Sequence, residues 1–177
     1  MDSYFDNNIV RLYLGDVRSV LQSLQPESID CVITSPPYWG LRDYDISGQI
    51  GLEPTVDVWC ATMTNVFHEV SRVLKPTGTV WMNLGDSYSN KQLVGMPWRV
   101  AFALQADGWY LRSDIIWSKP NPMPEGVQDR PIKAHEYIFL LTKSPKYYYD
   151  ADAIREPHSM TSWTAESDSK GFNSSNV

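Results

Sequence analysis

The spacing of hydrophobic and polar positions along the chain predicts an alternation of strands and helices. Residues 29–33 form a short apolar run rich in β-branched side chains, and residues 79–84 form a second one. Between them, over residues 54–75, apolar side chains recur at helical spacing and define one apolar face. A strand, a helix and a second strand in this order predict a parallel pair, so the fold class is α/β. The unbroken apolar run at 29–33 predicts a strand that is buried on both faces.

Patterns in the rest of the chain predict further elements of the same kinds. A helix is expected through Val20, Leu21 and Leu24, and another over residues 95–106, where Pro97 stands near the start. Aromatic residues of the 54–75 helix are expected in the core. Further strands are predicted at residues 9–14, 109–117, 135–141 and 146–149, with turns at 75–78 and 144–145 and irregular connections at 39–53 and 119–134.

Composition narrows the class of protein. A chain of 177 residues with 42% hydrophobic content is long enough for one domain with its own core. Its apolar runs are too short to span a membrane, and the start MDSYFDNN lacks the features of a signal peptide, so we expect a cytoplasmic protein. Cys31 and Cys60 are expected to be buried, reduced thiols, and no Cys/His cluster has metal-binding spacing, so no metal is predicted.

The stretch Ser35-Pro36-Pro37-Tyr38 follows the 29–33 strand and carries the candidate chemistry. Each proline lacks an N–H and fixes φ, so the backbone leaves the sheet rigidly and the carbonyls of Ser35 and Pro36 can accept other hydrogen bonds. Tyr38 adds an aromatic face at the sheet edge where α/β folds bind ligands. Fixed acceptors beside a stacking surface suit the exocyclic amino group of a nucleobase. The alternative is a plain Pro-Pro turn, with Tyr38 covering the end of a core strand.

Several motifs together resemble the amino-methyltransferases of DNA. TSPPYWG resembles their catalytic motif, and RVLKPTGTVWMNLGD resembles the motif that follows it. The succession W-S-K-P-N-P-x-P, D-R-P, H-E-Y and K-S-P-K-Y-Y-Y is similar in order and spacing to the closing motifs of the catalytic half. The resemblance implies a Rossmann-like class I methyltransferase sheet, S-adenosylmethionine as cofactor and double-stranded DNA as partner.

The resemblance also implies roles for individual residues. Ser35, Pro36, Pro37 and Tyr38 match the catalytic tetrapeptide, which would hold a flipped base stacked on Tyr38. Asp16 matches an acidic residue that contacts the cofactor, and Ser35 also lies on the cofactor side; Asp16 could also cap the following helix. Serine at the first position favours cytosine N4 over adenine N6 as the methylated atom. Transfer would be an in-line displacement without a metal or a covalent enzyme intermediate.

Residues around the tetrapeptide are candidates for contact with DNA. Trp39 and Arg42 begin the connection after Tyr38, and this connection is a natural lid or DNA-facing loop. Arg42 could meet a phosphate or pair with Asp43 or Asp45. Four later residues are also placed near DNA, namely Lys119, Asn121, Arg130 and His135.

Alternatives remain open for some of these assignments. His135 could instead be a structural histidine bonded near Glu136, and Asp86 is better explained as a loop cap than as a site residue. The net charge of −6 is unusual for a DNA-binding protein, although basic residues gather in the second half of the chain. A DNA-binding or assembly subunit without catalysis is therefore a rival interpretation, and methylation of RNA or of a protein amide is a third.

One expected motif is absent from the sequence. The ten glycines include no G-x-G pair, and no stretch resembles the D-P-F-x-G-x-G-T cofactor motif. The order of motifs is that of the β class, in which the catalytic half precedes target recognition and the cofactor motif. We expect residues 1–156 to be the catalytic half and 157–177 to be a polar tail or the start of a target-recognition segment. An apolar sheet edge should then be exposed. A split enzyme completed by a second chain, a fragment and a binding-only protein are the three explanations.

Overall fold

A four-stranded mixed sheet lies at the centre of the computed structural model, which describes residues 2–156. The elements in chain order are β1 (Phe5–Asp6), β2 (Arg11–Leu12), α1 (Val17–Ser23), β3 (Ile29–Thr34), α2 (Val56–Val73), β4 (Leu74–Leu84), β5 (Tyr88–Ser89), β6 (Gln92–Leu93), α3 (Met96–Ala106), β7 (Tyr110–Ser118) and β8 (His135–Thr142). The α/β class is therefore confirmed.

The central sheet has the strand order β3-β4-β8-β7. β3 and β4 are parallel and are joined through α2, so the predicted strand–helix–strand unit is confirmed. β8 is antiparallel to both of its neighbours, β4 and β7. The amino end of β8 consequently lies beside the carboxyl ends of β3 and β4, and three elements meet at one edge of the sheet.

Helix α2 covers one face of the sheet and supplies much of the core. Its apolar face includes Trp59, Met63 and Phe67, all buried, and these side chains belong to one cluster with residues of β4 and α3. Thr55 caps the helix by accepting a hydrogen bond from the Val58 N–H at 3.2 Å. The prediction that aromatic residues of this helix belong to the core is confirmed.

Strand β3 differs from its predicted burial. It lies at the edge of the central sheet, with β4 on one side only, and Ile33 is 82% exposed. Cys31 is exposed as well, whereas Cys60 is buried on α2. The expectation of burial on both faces was wrong, and so was the expectation of a buried Cys31 thiol. An apolar run reports that a strand is compatible with burial, but it does not report whether covering elements are present.

Three further secondary-structure predictions were wrong in part. Residues 146–149 form no strand; instead the Tyr148 N–H donates to the Thr77 carbonyl at 2.9 Å. Within residues 9–14 only β2 is a strand, and it pairs with β1 in a separate hairpin. The predicted turn at 75–78 is absorbed into β4 through a register shift opposite β3. β-propensity alone did not determine these segments, because strand formation also depends on the pairing and packing that the tertiary structure provides.

Residues 2–156 contain neither a candidate membrane-spanning helix nor a candidate metal site. No helix in this range is both long enough and apolar enough to cross a membrane. In the same range, no group of three or more His, Cys, Asp or Glu side chains is arranged to hold a metal ion.

Candidate active site

The end of β3 delivers the tetrapeptide to the sheet edge where β3, β4 and β8 meet. Pairing with β4 stops at Thr34, which lies opposite Met82. Pro36 is buried, and the Pro37 carbonyl accepts a hydrogen bond of 3.0 Å from the indole N–H of Trp59 on α2. The tetrapeptide is therefore attached to the helix that forms the core, which restricts its movement.

A cleft of about 380 Å³ opens beside the tetrapeptide, and we call it the tetrapeptide cleft. Its lining residues are Ser35, Pro36, Pro37, Tyr38, Leu41, Arg42, Tyr44 and Glu136. The irregular connection after Tyr38 thus supplies one wall, as expected of a loop that faces the site, and β8 supplies the other. Leu41, Tyr44 and Glu136 were not among the predicted site residues.

Tyr38 is held by a polar network that spans three strands. Its hydroxyl donates to Glu136 Oε2 at 3.1 Å and accepts from Asn83 Nδ2 at 3.3 Å. Asn83 Nδ2 also donates to Glu136 Oε2 at 2.8 Å, while the Lys119 ammonium pairs with Glu136 Oε1. Ser35 Oγ lies 3.4 Å from the Tyr38 hydroxyl. The network fixes the ring of Tyr38 beside the first residue of the tetrapeptide.

The protonation states in this network follow from its contacts. Burial by itself raises the pKa of Glu136, but the hydrogen bonds from Lys119 and Asn83 outweigh it, and the pKa lies below its usual value. Burial raises the pKa of Tyr38, and the negative charge of Glu136 acts in the same direction. At neutral pH Glu136 is therefore an ionised acceptor and Tyr38 is a neutral phenol.

A second cleft, of about 470 Å³, lies on the other side of the tetrapeptide, and we call it the edge groove. Its lining residues are Asp16, Val17, Leu21, Val32, Ile33, Thr34, Ser35, Pro36, Pro37, Tyr44, Gln49, Ile50, Met63, Val66, Phe67 and Val70. The groove is mostly apolar and shares Ser35, Pro36, Pro37 and Tyr44 with the tetrapeptide cleft. Ligands in the two clefts would therefore meet at the tetrapeptide.

Asp16 lies in the edge groove and also caps α1. Its carboxylate accepts from the Arg18 N–H at 2.9 Å and pairs with the Arg18 guanidinium at 2.8 Å. These bonds lower the pKa of Asp16 to about 2, so the group is charged at neutral pH. The capping role is thus present, and the carboxylate still lies in the groove. An acidic acceptor, apolar walls and the Ser35 hydroxyl fit a cofactor that has both polar and apolar parts.

The predicted DNA-contacting residues are distributed unevenly around the tetrapeptide cleft. Arg42 lines it, and Lys119 reaches its edge through the ion pair with Glu136. Trp39 does not line the cleft: its ring packs against the core, and its indole N–H donates to the Glu53 carbonyl at 2.8 Å.

The other predicted contacts also lie outside the cleft lining. Asn121 is exposed in the 119–134 connection. The Arg130 guanidinium lies over the ring of Tyr88, 3.6 Å from its centroid, and pairs with Glu125. His135 begins β8, where its ring meets the ring of Tyr137 edge-on at 5.2 Å.

Asp86, expected to cap a loop, accepts hydrogen bonds from backbone N–H groups at the start of α3. Its Oδ1 accepts from the Met96 N–H at 3.0 Å and its Oδ2 accepts from the Gly95 N–H at 3.1 Å. The carboxylate is buried, and the Lys133 ammonium lies 3.5 Å from it. This residue holds the start of the helix and takes no part in the tetrapeptide network.

Comparison with known proteins identifies the relatives of this chain. Residues 29–176 match the family model N6_N4_Mtase, described as DNA methylase. The Type II methyltransferase M.SmaI of Serratia marcescens is 48% identical over 84% of this chain and 61% of its own length. The chain spans about three fifths of the length of this relative and of two further Type II methyltransferases that it matches.

Solved structures of DNA methylases have a similar fold. TTHA0409 of Thermus thermophilus, described as a DNA modification methylase and solved with S-adenosyl-L-methionine, is 26% identical and superposes with a TM-score of 0.60 over 79% of this chain and 56% of its own. The cytosine-N4-specific PvuII DNA methyltransferase, 20% identical, superposes with a TM-score of 0.66 over 81% of this chain and 54% of its own. These matches confirm the class I methyltransferase fold.

Proposed function

The chain belongs to the DNA methylase family, and from that premise we propose that it carries the base-binding half of a site-specific DNA methyltransferase. The enzyme would transfer a methyl group from S-adenosylmethionine to an exocyclic amino group of a base in double-stranded DNA. The supporting observation is the position of Ser35-Pro36-Pro37-Tyr38 between two clefts that share three of its residues. One cleft would receive the base and the other would receive part of the cofactor.

The base would leave the duplex, at a cost of a few kcal/mol, and enter the tetrapeptide cleft. There Tyr38 would stack on the ring, and the Ser35 hydroxyl and the Pro36 carbonyl would accept the amino N–H bonds. These bonds would turn the nitrogen lone pair toward the edge groove, where Asp16 and Ser35 would hold the cofactor. S-adenosylmethionine supplies an electrophilic methyl group on its sulfonium; the sulfur would leave as a neutral thioether, and the methylated amino group would release one proton to solvent. Orientation of this kind can contribute up to roughly 7–11 kcal/mol to lowering the barrier.

Cytosine N4 is the proposed target atom, with adenine N6 as the alternative. Serine at the first tetrapeptide position supports cytosine, because the resemblance associates it with the cytosine-N4 enzymes more than with the adenine-N6 enzymes. Arg42, Lys119, Asn121 and Arg130 are proposed to contact DNA, most simply at phosphates. For His135 and Trp39, which lie outside the lining of the tetrapeptide cleft, contact with DNA also stays a proposal.

A second chain, or a further segment, is proposed to complete the cofactor site. Within residues 2–156 the edge groove is lined by α1, β3, α2 and the connection after Tyr38, and β3 offers an unpaired strand edge beside it. A glycine-rich cofactor motif on a strand added to this edge would supply further contacts to the cofactor. Cytoplasmic location and the absence of a bound metal also stay predictions from the sequence.

Product analysis tests the proposed function. An enzyme preparation that contains this chain would be incubated with unmethylated DNA and S-adenosylmethionine, and the nucleosides would be separated by mass. N4-methylcytosine is the expected product, and it should be absent with Ser35→Ala. N6-methyladenine would overturn the choice of base, while no methylation of DNA in a preparation that binds cofactor would favour the binding-only alternative.

A further inference from the structure

We propose that Glu136 is a positioning residue that acts through the Tyr38 hydroxyl to make Ser35 a hydrogen-bond acceptor toward the base. The proposal rests on the function proposed above, because it concerns how the tetrapeptide cleft receives an amino group. Glu136 lies on β8, far from the tetrapeptide in sequence, and its side chain is 18% exposed at the wall of the tetrapeptide cleft.

The direction of each hydrogen bond follows from the charge on Glu136. An ionised carboxylate carries no proton, so the Tyr38 hydroxyl must donate in the 3.1 Å contact with Oε2. The Tyr38 oxygen is then available only as an acceptor. A hydrogen bond across the 3.4 Å contact between the two hydroxyls can therefore be made only with the proton of Ser35.

Ser35 is thereby left with lone pairs and no proton to offer to the cleft. This is the state that an amino group requires, because it approaches with its N–H bonds first. A serine free to rotate would present its own proton in part of the population and would repel the amino group. The relay from Glu136 through Tyr38 favours the orientation in which the Ser35 proton points to Tyr38 and its lone pairs face the cleft.

Two neighbours keep Glu136 in the state that the relay needs. Lys119 pairs with Oε1, and Asn83 Nδ2 donates to Oε2 at 2.8 Å, so both oxygens are held by donors. Asn83 Oδ1 is buried and has no hydrogen-bond partner among the described residues. The Asn83 amide therefore satisfies the carboxylate at the expense of its own oxygen, which indicates that donation to Glu136 dominates at this position.

A glutamine at position 136 would reverse the direction of the hydrogen bond with the Tyr38 hydroxyl, while the side chain would keep nearly the same size and shape. Lys119 needs an acceptor, so the amide oxygen would face Lys119 and the amide NH₂ would face Tyr38 and Asn83. The Tyr38 oxygen would then accept from the amide, and its proton would be free to point toward Ser35. Ser35 would no longer be held as an acceptor toward the cleft.

A double-mutant cycle in the active enzyme tests the relay. We would measure kcat and the KM for DNA in Glu136→Gln, Tyr38→Phe and the combined variant. Each single change is expected to lower kcat by about tenfold to a hundredfold, the scale for losing one hydrogen bond to a charged group, with little change in KM. The combined variant should be no slower than Tyr38→Phe, because Glu136 acts through that hydroxyl. Losses that multiply in the combined variant would overturn the relay.

Two controls separate positioning from folding. Glu69→Gln removes another ion-paired glutamate, bonded to Arg72 at 2.8 Å on α2, and should leave kcat unchanged. Glu136→Asp keeps the charge and should recover part of the kcat lost in Glu136→Gln, whereas a packing role alone predicts the opposite order. Thermal unfolding of each variant confirms that it is folded.

Titration of the Tyr38 hydroxyl tests the contact between Tyr38 and Glu136 without a measurement of enzyme activity. With ¹³C-labelled tyrosine and Tyr38→Phe to assign the signal, the pKa of Tyr38 should fall in Glu136→Gln, because the neighbouring negative charge is gone. An unchanged Tyr38 pKa would overturn the relay. Absence of methyl transfer in the parent enzyme, combined with the expected pKa shift, would overturn the proposed function and leave the contact established.

Discussion

The two sides of the tetrapeptide differ in how far residues 2–156 complete them. On the side of the tetrapeptide cleft, Tyr38, Asn83, Lys119 and Glu136 form a connected polar network drawn from β4, β8 and the connections after β3 and β7. On the side of the edge groove, β3 is a sheet edge, and Ile33 is 82% exposed beside it.

The difference indicates that the two clefts at the end of β3 are completed to different degrees by residues 2–156. The cleft proposed for the base is preorganised, because the hydrogen bonds around Tyr38 are already formed before any ligand arrives. The groove proposed for the cofactor has a charged cap at Asp16 and apolar walls, and the strand β3 beside it is an unpaired sheet edge. We therefore infer that the chain can orient a base by itself and requires additional structure to bind the cofactor.

Tyr38→Ala should have the largest effect on the complete side. It removes both the stacking surface and the partner of Glu136, and stacking on an aromatic side chain is worth about 1–3 kcal/mol per base. We expect methyl transfer to fall by roughly a hundredfold or more, measured with radiolabelled cofactor. Tyr4→Ala, at a tyrosine that is 74% exposed on the N-terminal side, is the matched control. Unchanged turnover in Tyr38→Ala would remove the stacking role.

Gly85→Ala should have the next largest effect, because the added methyl group would crowd Tyr38 and Glu136, two members of the same polar network. An added Cβ would lie 3.1 Å from Tyr38 Cε2 and 3.3 Å from Glu136 Cδ, so one of the two side chains must move. We expect about a tenfold loss of activity and a loss of about 1–3 kcal/mol in the free energy of unfolding, the usual cost of overpacking. Gly126→Ala, where the added atom meets nothing within 4 Å, should change neither quantity.

Trp59→Phe examines the attachment between the tetrapeptide and α2. The change removes the indole N–H that donates to the Pro37 carbonyl and keeps an aromatic ring in the core. The free energy of unfolding should fall by about 1–3 kcal/mol, measured by urea denaturation. Trp98→Phe is the comparison, since that ring packs edge-on against Phe139 at 5.0 Å. Equal losses in the two variants would show that ring size matters and the hydrogen bond does not.

Ile33→Lys should have the smallest effect on the free energy of unfolding of the chain. It therefore tests the role of the β3 edge separately from folding. An exposed position tolerates substitution within about 0.5 kcal/mol of unfolding free energy. The lysine should nevertheless block pairing of an added strand with β3, and so prevent completion of the cofactor site. Ile9→Lys, 90% exposed in the N-terminal part of the chain, should not. Normal complementation by Ile33→Lys would mean that β3 is not the joining edge.

For the tetrapeptide cleft, local patterns in the sequence predict the positions of strands and helices better than they predict the contacts between side chains. The double proline and the helical spacing of 54–75 predict the end of β3 and the position of α2, because both are properties of neighbouring residues. Glu136 is missed as a site residue, although H-E-Y stands out as a motif. Its contact with Tyr38 depends on β8 running antiparallel beside β4, and nothing local in the sequence specifies that pairing.

The prediction that β3 is buried beside the edge groove failed for a related reason. The apolar run of β3 indicates burial, while Cys31 and Ile33 are exposed in the described part of the chain. The missing glycine-rich motif also predicts an exposed apolar edge, and β3 is that edge. Residues 157–177, expected to be a polar tail or the start of target recognition, lie outside the described residues, so that expectation stays a prediction. The functional roles of the individual site residues also stay predictions.

Calorimetric titration with S-adenosylmethionine tests the central claim most directly. The 177-residue chain would be titrated alone and then together with a chain that carries a glycine-rich cofactor motif. We expect no binding by the chain alone and binding at one cofactor per complex after mixing, with Ile33→Lys abolishing the recovery. Stoichiometric binding by the chain alone would contradict the division between a complete base side and an incomplete cofactor side.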